Sequence, residues 1–275
     1  MTKKENSFFE EEFFYSKKKY IHKTSIVGPD VIIENNVKIG PYCTIVGKVK
    51  IKSGTKIFPY VSIGLPAQDL DTTHSLGSIE IGENCIIREF VSIHSSKTEN
   101  GFTAVGNNCY IMNYCHIAHD VIMEENIVLT NNTNLGGHSY LEKNVLLMAN
   151  TAVHQFCKIG KYSCITPFSG TRQDLPPFSM FTGQPSHFSN LNLIALKRAN
   201  FSKESINAVK RVTNLYYINK LPLQKIKDLA NQESISWGND QYVQEFLTFI
   251  ENSKRGVSRR ALFYETETYN KQVTI

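Results

Sequence analysis

Residues 111–141 read IMNYCHIAHDVIMEENIVLTNNTNLGGHSYL, and an aliphatic residue or methionine stands at every sixth position from the first residue of this stretch to the last. The same phase extends back to Ile21 and forward to Ile165. A fixed short period maintained over most of a chain predicts a repeat architecture, in which each repeat buries its apolar side chain against its neighbours.

A six-residue unit corresponds to one short strand and one corner, and three such units, about 18 residues, close a triangular coil. The aliphatic residue points into the coil, and a smaller residue four positions later fills the space beside it. The period is lost near residues 65–78 and 95–104 and resumes in phase after both. The sequence therefore predicts a mainly β fold, a parallel β-helix of hexapeptide repeats over residues 20–178 with two extruded loops.

The cysteines follow the repeat, because all but Cys164 occupy the small inward position. A buried cysteine of this kind behaves as a small apolar side chain. The sequence contains no CxxC pair, so we expect neither a disulfide framework nor a zinc site. The cysteines predicted to point inward are Cys43, Cys85, Cys109, Cys115 and Cys157.

The hexapeptide period ends after Ile165, and residues 179–189 are predicted to be a connector. Over residues 190–275 apolar side chains recur at helical spacing, which predicts a small α-helical C-terminal domain in which Ser202 is an N-cap. Residues 1–19 form an aromatic-rich N-terminal extension. Two interpretations of this extension stay open: an amphipathic helix that packs on the prism, or a disordered arm.

The composition sets limits on location and partners. The chain has 275 residues, with 30 basic and 25 acidic side chains and a formal charge of +5. This small excess suits an anionic partner such as nucleotide phosphates or an acidic carrier protein. The basic clusters are short, so we expect no nucleic-acid site. No stretch approaches transmembrane length and the N-terminus lacks the apolar core of a secretory signal, which predicts a cytoplasmic protein.

Residues three repeats apart stack one coil above another, at a spacing of roughly 4.8 Å. His116 is predicted at the corner before this patch, and His94 on another face, from which only a neighbouring subunit could bring it near. Five residues therefore converge on one outward-facing patch about two coils tall: His119, Gly137, His138, His154 and Gln155.

This patch contains the parts of an acyl transfer. A histidine with a pKa near ~6.5 can take a proton from an alcohol at neutral pH. Asp120 is placed to orient the ring of His119, and a glycine at 137 allows a backbone N–H to approach a developing oxyanion. Two alternatives stay open: a zinc-binding prism hydratase, which needs three imidazoles in matching geometry, and a non-catalytic sugar-binding trimer.

Several stretches together resemble one known family, the acyl-carrier-protein-dependent UDP-N-acetylglucosamine O-acyltransferases that begin lipid A synthesis. The similarity spans roughly residues 20–255. The hexapeptide repeat alone is shared by many transferases, whereas the combination of these stretches at these spacings is specific. They are IGLPAQDL (63–70), IREFVSIH (87–94), HIAHD (116–120), NNTNLGGH (131–138), TAVHQFCKIG (151–160) and LNLIALKRANFS (191–202).

The resemblance implies a left-handed β-helix and a homotrimer with each active site between neighbouring prisms. It implies transfer of a (3-hydroxy)acyl chain from acyl carrier protein to the 3-hydroxyl of the nucleotide sugar, without a cofactor. His119 would be the general base, Asp120 would support it and the Gly137 N–H would hold the oxyanion. The residues implied to contact substrate are Asp69, His138, His154, Gln155, Asn192 and Arg198.

The chain departs from the family pattern at several nucleotide-side positions. Asp71 stands where a lysine is expected, and Ser95–Lys97 replaces the usual Arg-Gly-Thr. In the first predicted helix, Ile194 and Ala199 replace a glutamate and an arginine. The resemblance therefore supports acyl transfer more directly than it identifies the acceptor, and a paralogue that uses another nucleotide (amino)sugar stays open. It does not fix the acyl chain length, because the segment around Pro167 departs from the family.

Overall fold

The computed structural model describes Phe13 and residues 18–70, 77–232 and 236–258. Most of this part of the chain forms a parallel β-helix with a triangular cross-section, built from three sheets of very short strands. The first sheet holds ten strands: Tyr20–Ile21, Lys38–Ile39, Lys56–Ile57, Ile86–Ile87, Tyr110–Ile111, Val128–Leu129, Leu146–Leu147, Cys164–Ile165, Ser179–Thr182 and His187–Leu191.

The other two sheets are also built from very short strands, one from each successive coil. The second sheet consists of Ile26–Val27, Thr44–Ile45, Ser62–Leu65, Ser92–His94, His116–Ile117, Asn134–Leu135, Ala152–Val153 and Gly170–Thr171. The third sheet consists of Ile32–Ile33, Val49–Ile51, Ser78–Ile81, Phe102–Val105, Ile122–Met123, Tyr140–Leu141 and Lys158–Ile159.

The period of six determines both the core and the register. Ile117 pairs with Leu135, and Leu135 with Val153, so that equivalent residues of successive coils lie above one another. These residues and their counterparts on the other two sheets are almost fully buried, because each faces the axis of the prism. Across the loops Ile63 pairs with Ile93, and Ile93 with Ile117, so the loops lengthen a coil without changing its phase.

The cysteines lie where the repeat predicted. All six are buried and none forms a disulfide. Burial is the largest influence on the thiol of Cys115 and raises its pKa to about 11. The Cys115 thiol therefore stays protonated at neutral pH, and the six buried side chains act as packing groups.

The segment predicted as a connector, residues 179–189, instead contains two antiparallel strands that extend the first sheet. The prediction failed because it rested on the loss of the hexapeptide period, whereas this hairpin is stabilised by two buried rings. Phe181 and Phe188 are each at most 5% exposed, with ring centroids 6.2 Å apart. They close the end of the prism beneath the helices.

Four α-helices follow within residues 193–251 as described: α1 (Leu193–Arg198), α2 (Lys203–Thr213), α3 (Leu223–Ala230) and α4 (Gln241–Glu251). A π-helical turn, Asn214–Ile218, extends α2, and a 3-10 turn, Ser236–Asn239, precedes α4. Ser202 caps α2 as predicted, since its side chain accepts a hydrogen bond from the Ser205 backbone N–H. The buried faces of these helices join the prism in one continuous apolar cluster.

Within residues 1–17 only Phe13 is described. Its side chain is fully buried, and its ring lies edge-on to Phe58 of the first sheet with centroids 5.1 Å apart. The two interpretations of the N-terminal extension otherwise concern residues outside the described part of the chain. Among the described residues, no helix has both the length and the apolar character needed to cross a bilayer.

Candidate active site

A cleft of about 900 Å³ opens on the outer side of the second sheet and on the corner that leads from it to the third sheet. It contains most of the residues that the sequence placed in one patch. Its polar lining is supplied by Gln68, Asp69, His116, His119, Asn134, Gly137, His154, Gln155, Thr171, Arg172 and Gln184.

His119 and Asp120 form a hydrogen-bonded pair at the base of this corner, with Nδ1 of the imidazole 2.8 Å from Oδ2 of the carboxylate. Both side chains are nearly buried, with 11% and 13% exposed. The Asp120 backbone N–H donates to Thr103 Oγ1 at 2.8 Å, which fixes the corner. Because an ionised carboxylate can only accept, Nδ1 carries the proton and Nε2 keeps its lone pair.

The environment of Asp120 keeps the carboxylate ionised. Burial alone would raise its pKa, but hydrogen bonds from Ser96 and His119 outweigh burial and hold the pKa below its usual value. Ser96 Oγ donates to Oδ1 at 2.5 Å, and the Lys97 backbone N–H lies 3.4 Å from Oδ2. Asp120 is therefore a fixed negative charge that orients His119 and stabilises its protonated form.

Gly137 lies directly against the ring of His119. A Cβ atom at this position would stand 2.6 Å from both Cε1 and Nε2 of the imidazole, closer than real side chains approach. Glycine is thus required for the ring to occupy its place. Within the described chain the Gly137 N–H donates to no protein acceptor, so a ligand oxygen beside Nε2 can take this hydrogen bond.

His138 follows Gly137 and connects the pair to the next coil. Its ring stands edge-on to His119, with centroids 5.1 Å apart, and stacks flat on Phe156 at 4.7 Å. Its Nε2 is 3.8 Å from Asp120 Oδ2. Burial lowers the pKa of His138, and the attraction of the Asp120 carboxylate only partly opposes this. His138 is therefore a neutral imidazole at physiological pH.

His94 and His116 correct two predictions. His116 lies within a strand of the second sheet rather than at a corner, and it lines the cleft. His94 lies on the same sheet, with its ring 5.1 Å from that of His116. The prediction for His94 was wrong because the preceding loop preserves the phase, which keeps Ile93 on the same face as Ile117.

Three potential metal ligands occur together in this corner, where one donor atom from each of His119, Asp120 and His138 lies within 4.8 Å of the others. The closest two atoms are 2.8 Å apart, the length of a hydrogen bond. Two ligands of a tetrahedral zinc, at about 2.0–2.1 Å from the ion, would stand farther apart. The geometry thus fits a hydrogen-bonded pair.

Comparisons with known proteins identify the family. A family profile described as UDP N-acetylglucosamine O-acyltransferase, domain 2, matches residues 174–258. The acyl-[acyl-carrier-protein]–UDP-N-acetylglucosamine O-acyltransferase of Janthinobacterium sp. (strain Marseille) is 39% identical over 259 residues, covering 87% of this chain and 99% of the relative. This chain belongs to that family. The protein of the same name from Herminiimonas arsenicoxydans is 38% identical with the same coverage.

Solved structures of this acyltransferase family have the same fold. The Francisella novicida UDP-N-acetylglucosamine acyltransferase superposes with a TM-score of 0.76 at 32% identity, covering 90% of this chain and 92% of that one. LpxA from Acinetobacter baumannii gives a TM-score of 0.77 at 31% identity, with 87% and 99% covered. The left-handed β-helix with a small helical C-terminal region is confirmed.

The cleft also contains a charged pair that the sequence did not predict. Lys97 Nζ lies 2.5 Å from Asp69 Oδ2, which joins the two loops that interrupt the repeat. The repeat phase does indicate that the two loops lie close together. Ile63 and Ile93 pair on adjacent coils, so the loops that follow them leave the prism at one corner.

A second unpredicted residue, Arg255, comes from the segment after α4. Its Nη2 lies 3.3 Å from His154 Nδ1, at the edge of the cleft. The segment is held by Asp174, which is 2% exposed and accepts hydrogen bonds from Ser253 Oγ and the Lys158 backbone N–H, both at 2.7 Å. No periodicity marks this segment, so the sequence pattern carried no signal for it.

Two residues that the resemblance implied for the nucleotide lie outside the cleft of a single chain. Asn192 is buried at the start of α1, where its Oδ1 accepts from the Ala195 N–H and its Nδ2 donates to the Tyr162 carbonyl. Arg198 is exposed at the end of the same helix. Their substrate roles stay predictions, which require a second subunit to bring them to the cleft.

Proposed function

We propose that this protein transfers an acyl chain from acyl carrier protein to the 3-hydroxyl of UDP-N-acetylglucosamine, the first step of lipid A synthesis. Membership of the acyltransferase family supports the reaction class. The observation that carries the chemistry is the His119–Asp120 pair with Gly137 against the ring. In this arrangement the basic Nε2 of His119 and the Gly137 backbone N–H lie side by side in the cleft.

In the proposed reaction, Nε2 of His119 takes the proton of the sugar hydroxyl as its oxygen attacks the thioester carbonyl. Asp120 stabilises the resulting imidazolium, and the Gly137 N–H donates to the tetrahedral oxyanion. Collapse of this intermediate breaks the carbon–sulfur bond, and the imidazolium returns its proton to the departing thiolate. The products are the O-acylated sugar nucleotide and the free carrier thiol. Every step uses groups of the chain and the two substrates, so no cofactor is proposed.

The proposed active form is a homotrimer. Asp69, His154 and Gln155 line one cleft with His119, and His138 contacts the His119 ring, all within one chain. Asn192 caps α1 and Arg198 is exposed at its end, which leaves the nucleotide contacts to a neighbour. We also propose a cytoplasmic location, because the proposed donor is bound to acyl carrier protein. Sedimentation tests the assembly: a fully active monomer would contradict the shared site.

The first experiment is an acyl-transfer assay with UDP-N-acetylglucosamine and a corresponding amino-sugar nucleotide, each with carrier-bound chains of several lengths. His119→Ala should lower kcat by about 10²–10⁴-fold, the usual contribution of a general base. His22→Asn, in the first coil, is the matched histidine control and should leave kcat unchanged.

Three outcomes would contradict parts of the proposal. Full turnover by His119→Ala would show that His119 is not the general base. Faster transfer to the amino-sugar nucleotide would replace the acceptor while keeping the acyl chemistry. Stoichiometric zinc in the purified protein, with activity lost on chelation, would favour the hydratase.

A further inference from the structure

Lys97 is in contact with two carboxylates that have different tasks in the proposed function. Its ammonium Nζ lies 2.5 Å from Oδ2 of Asp69, which lines the cleft and which the family resemblance implies for substrate contact. Its backbone N–H lies 3.4 Å from Oδ2 of Asp120, which orients His119. One loop residue therefore connects Asp69, on the cleft wall, with the His119–Asp120 pair.

The loop around Lys97 is anchored independently of the lysine side chain. Ser96 Oγ donates to Asp120 Oδ1 at 2.5 Å and accepts from the Thr98 N–H at 3.1 Å. The Ser96 carbonyl accepts from the Gly77 N–H at 3.2 Å, which ties this loop to the end of the first loop. A change confined to the lysine ammonium should therefore leave the loop backbone and its hold on Asp120 in place.

The Lys97–Asp69 pair is better shielded than a surface salt bridge. The two side chains are 26% and 33% exposed, and they are in direct charge-assisted hydrogen-bond contact. Partial burial strengthens the attraction between such charges, whereas fully exposed pairs contribute little. The pair therefore fixes which way the Asp69 carboxylate faces and offsets its negative charge.

That charge matters because the proposed acceptor carries a diphosphate. An uncompensated carboxylate on the cleft wall would repel an anionic ligand, and the pairing with Lys97 removes most of this repulsion. The same pairing directs the lysine toward Asp69, so it is not the diphosphate clamp that its basic character alone would suggest.

We propose that Lys97 is a positioning residue for the acceptor: its ammonium orients and neutralises Asp69 at a fixed distance from the His119–Asp120 pair. This inference rests on the proposed function, because it assumes that the ligand beside Asp69 is an anionic sugar nucleotide. It extends that function by naming the residue that connects acceptor binding to the catalytic pair.

The test compares Lys97→Met, which keeps the aliphatic stem, with Lys97→Arg, which keeps the charge. Lys97→Met should raise the acceptor KM and the calorimetric Kd for UDP-N-acetylglucosamine by about tenfold, a loss of about 1.4 kcal/mol. kcat and the donor KM should stay within about threefold of the wild type. Lys97→Arg should recover most of the loss. Lys52→Met is the matched control, since Lys52 also pairs with a carboxylate, that of Glu80, at 2.5 Å on the third sheet.

A double-mutant cycle with Asp69→Asn separates action through Asp69 from direct contact with phosphate. If Lys97 acts through Asp69, adding Lys97→Met to Asp69→Asn should change the acceptor Kd by less than about twofold. The inference would be overturned if the effects of Lys97→Met and Asp69→Asn on the acceptor Kd multiplied fully in the double mutant. An unchanged acceptor Kd in Lys97→Met would overturn it as well. A wild-type protein that neither binds nor acylates the sugar nucleotide would overturn the proposed function, and this inference with it. Acceptor binding that is normal in the wild type and in Lys97→Met would overturn the inference alone.

Discussion

Two corners of the prism share one backbone conformation and carry different chemistry. The corner between the first and second sheets, here the aromatic corner, places Tyr42, Tyr60, Phe90 and Tyr114 one above another at φ angles of 58–63°. The corner between the second and third sheets, here the site corner, places Asp120, His138 and Phe156 at φ angles of 59°, 58° and 65°. Both corners use the left-handed region, so the backbone alone does not distinguish them.

The side chains distinguish the two corners. On the aromatic corner the rings stack flat, with centroids 4.9–5.2 Å apart and interplanar angles of at most 13°. On the site corner His138 and Phe156 stack in the same way, but His119 stands edge-on to His138 at 86°. The ring of His119 enters from the preceding position because Gly137 has no Cβ there. The repeat by itself thus produces flat ring stacking. Gly137, on the coil after His119, leaves the space that lets the His119 ring stand edge-on in the cleft.

The strongest way to break this comparison is to fill the space at position 137. In Gly137→Ala, the new Cβ would stand 2.6 Å from His119 Cε1 and Nε2, so the ring must move. A displacement of about 1 Å at a catalytic group can cost about 100-fold in rate. We expect kcat to fall by about 100-fold or more in the acyl-transfer assay, with little change in acceptor binding.

Gly28→Ala is the control for this prediction. Gly28 lies at the corner after the second sheet in an early coil, and a Cβ there meets its nearest neighbour, Val46 Cα, at 3.3 Å. The corresponding position beside the site is already an alanine, Ala118. The comparison between the corners fails if Gly137→Ala and Gly28→Ala have equal activity.

A second way to sharpen the comparison is to vary the pH. The cleft buries one titrating group, His116, whereas the stability of the aromatic corner does not depend on a titrating group. Burial, followed by the charges of His94 and His119, lowers the pKa of His116 to about 4. In the unfolded chain His116 binds a proton with a pKa of about 6.5. The folded protein therefore keeps the full stability contribution of neutral His116 above that pH and loses it as the pH falls toward 4. Between pH 7.0 and 4.5, His116→Asn should lose roughly 2 kcal/mol less free energy of unfolding than the wild type.

The measurement is urea unfolding at both pH values and one protein concentration, since the stability of the proposed homotrimer would depend on concentration. Phe90→Ala is the control, because its effect should be the same at pH 7.0 and pH 4.5. If His116→Asn shows the same loss between the two pH values as the wild type, His116 is not neutral in the folded protein at pH 4.5.

The fold was predictable because a narrow prism imposes one chemical demand at a fixed interval. Only an inward aliphatic chain satisfies the position of Ile117 or Leu135, so the pattern fixes the register as well as the face. The hairpin after the prism followed no such period. Its strands depend on Phe181 and Phe188, which pack on the end of the prism through contacts distant in sequence.

The repeat pattern by itself predicted only those cleft residues that belong to the repeat, whereas Asp69, in a loop, was indicated by the family resemblance. His119, Gly137 and His138 lie at repeat positions, and stacking alone brought them together. Lys97 and Arg255 reach the same region from a loop and from the C-terminal segment, through Asp120 and the buried Asp174. The repeat phase indicated only that the two loops leave the prism at one corner. It did not indicate the hydrogen bonds of Lys97 and Arg255, because side-chain contacts of this kind leave no periodic trace.

The smallest expected effect tests the aromatic corner itself, where the comparison predicts a role in stability and none in chemistry. Phe90 is 46% exposed and stacks between Tyr60 and Tyr114 at 5.1 and 4.9 Å. Phe90→Ala removes half-buried apolar area and two stacking contacts, which should cost about 1–2 kcal/mol of unfolding free energy. Phe156→Ala removes a similar stack beside His138, so it should cost about the same stability and also lower kcat. Urea unfolding and the transfer assay, with assembly checked by sedimentation, separate the two variants. Loss of kcat in Phe90→Ala with the assembly intact would show that the aromatic corner takes part in the reaction, and the division between the two corners would fail.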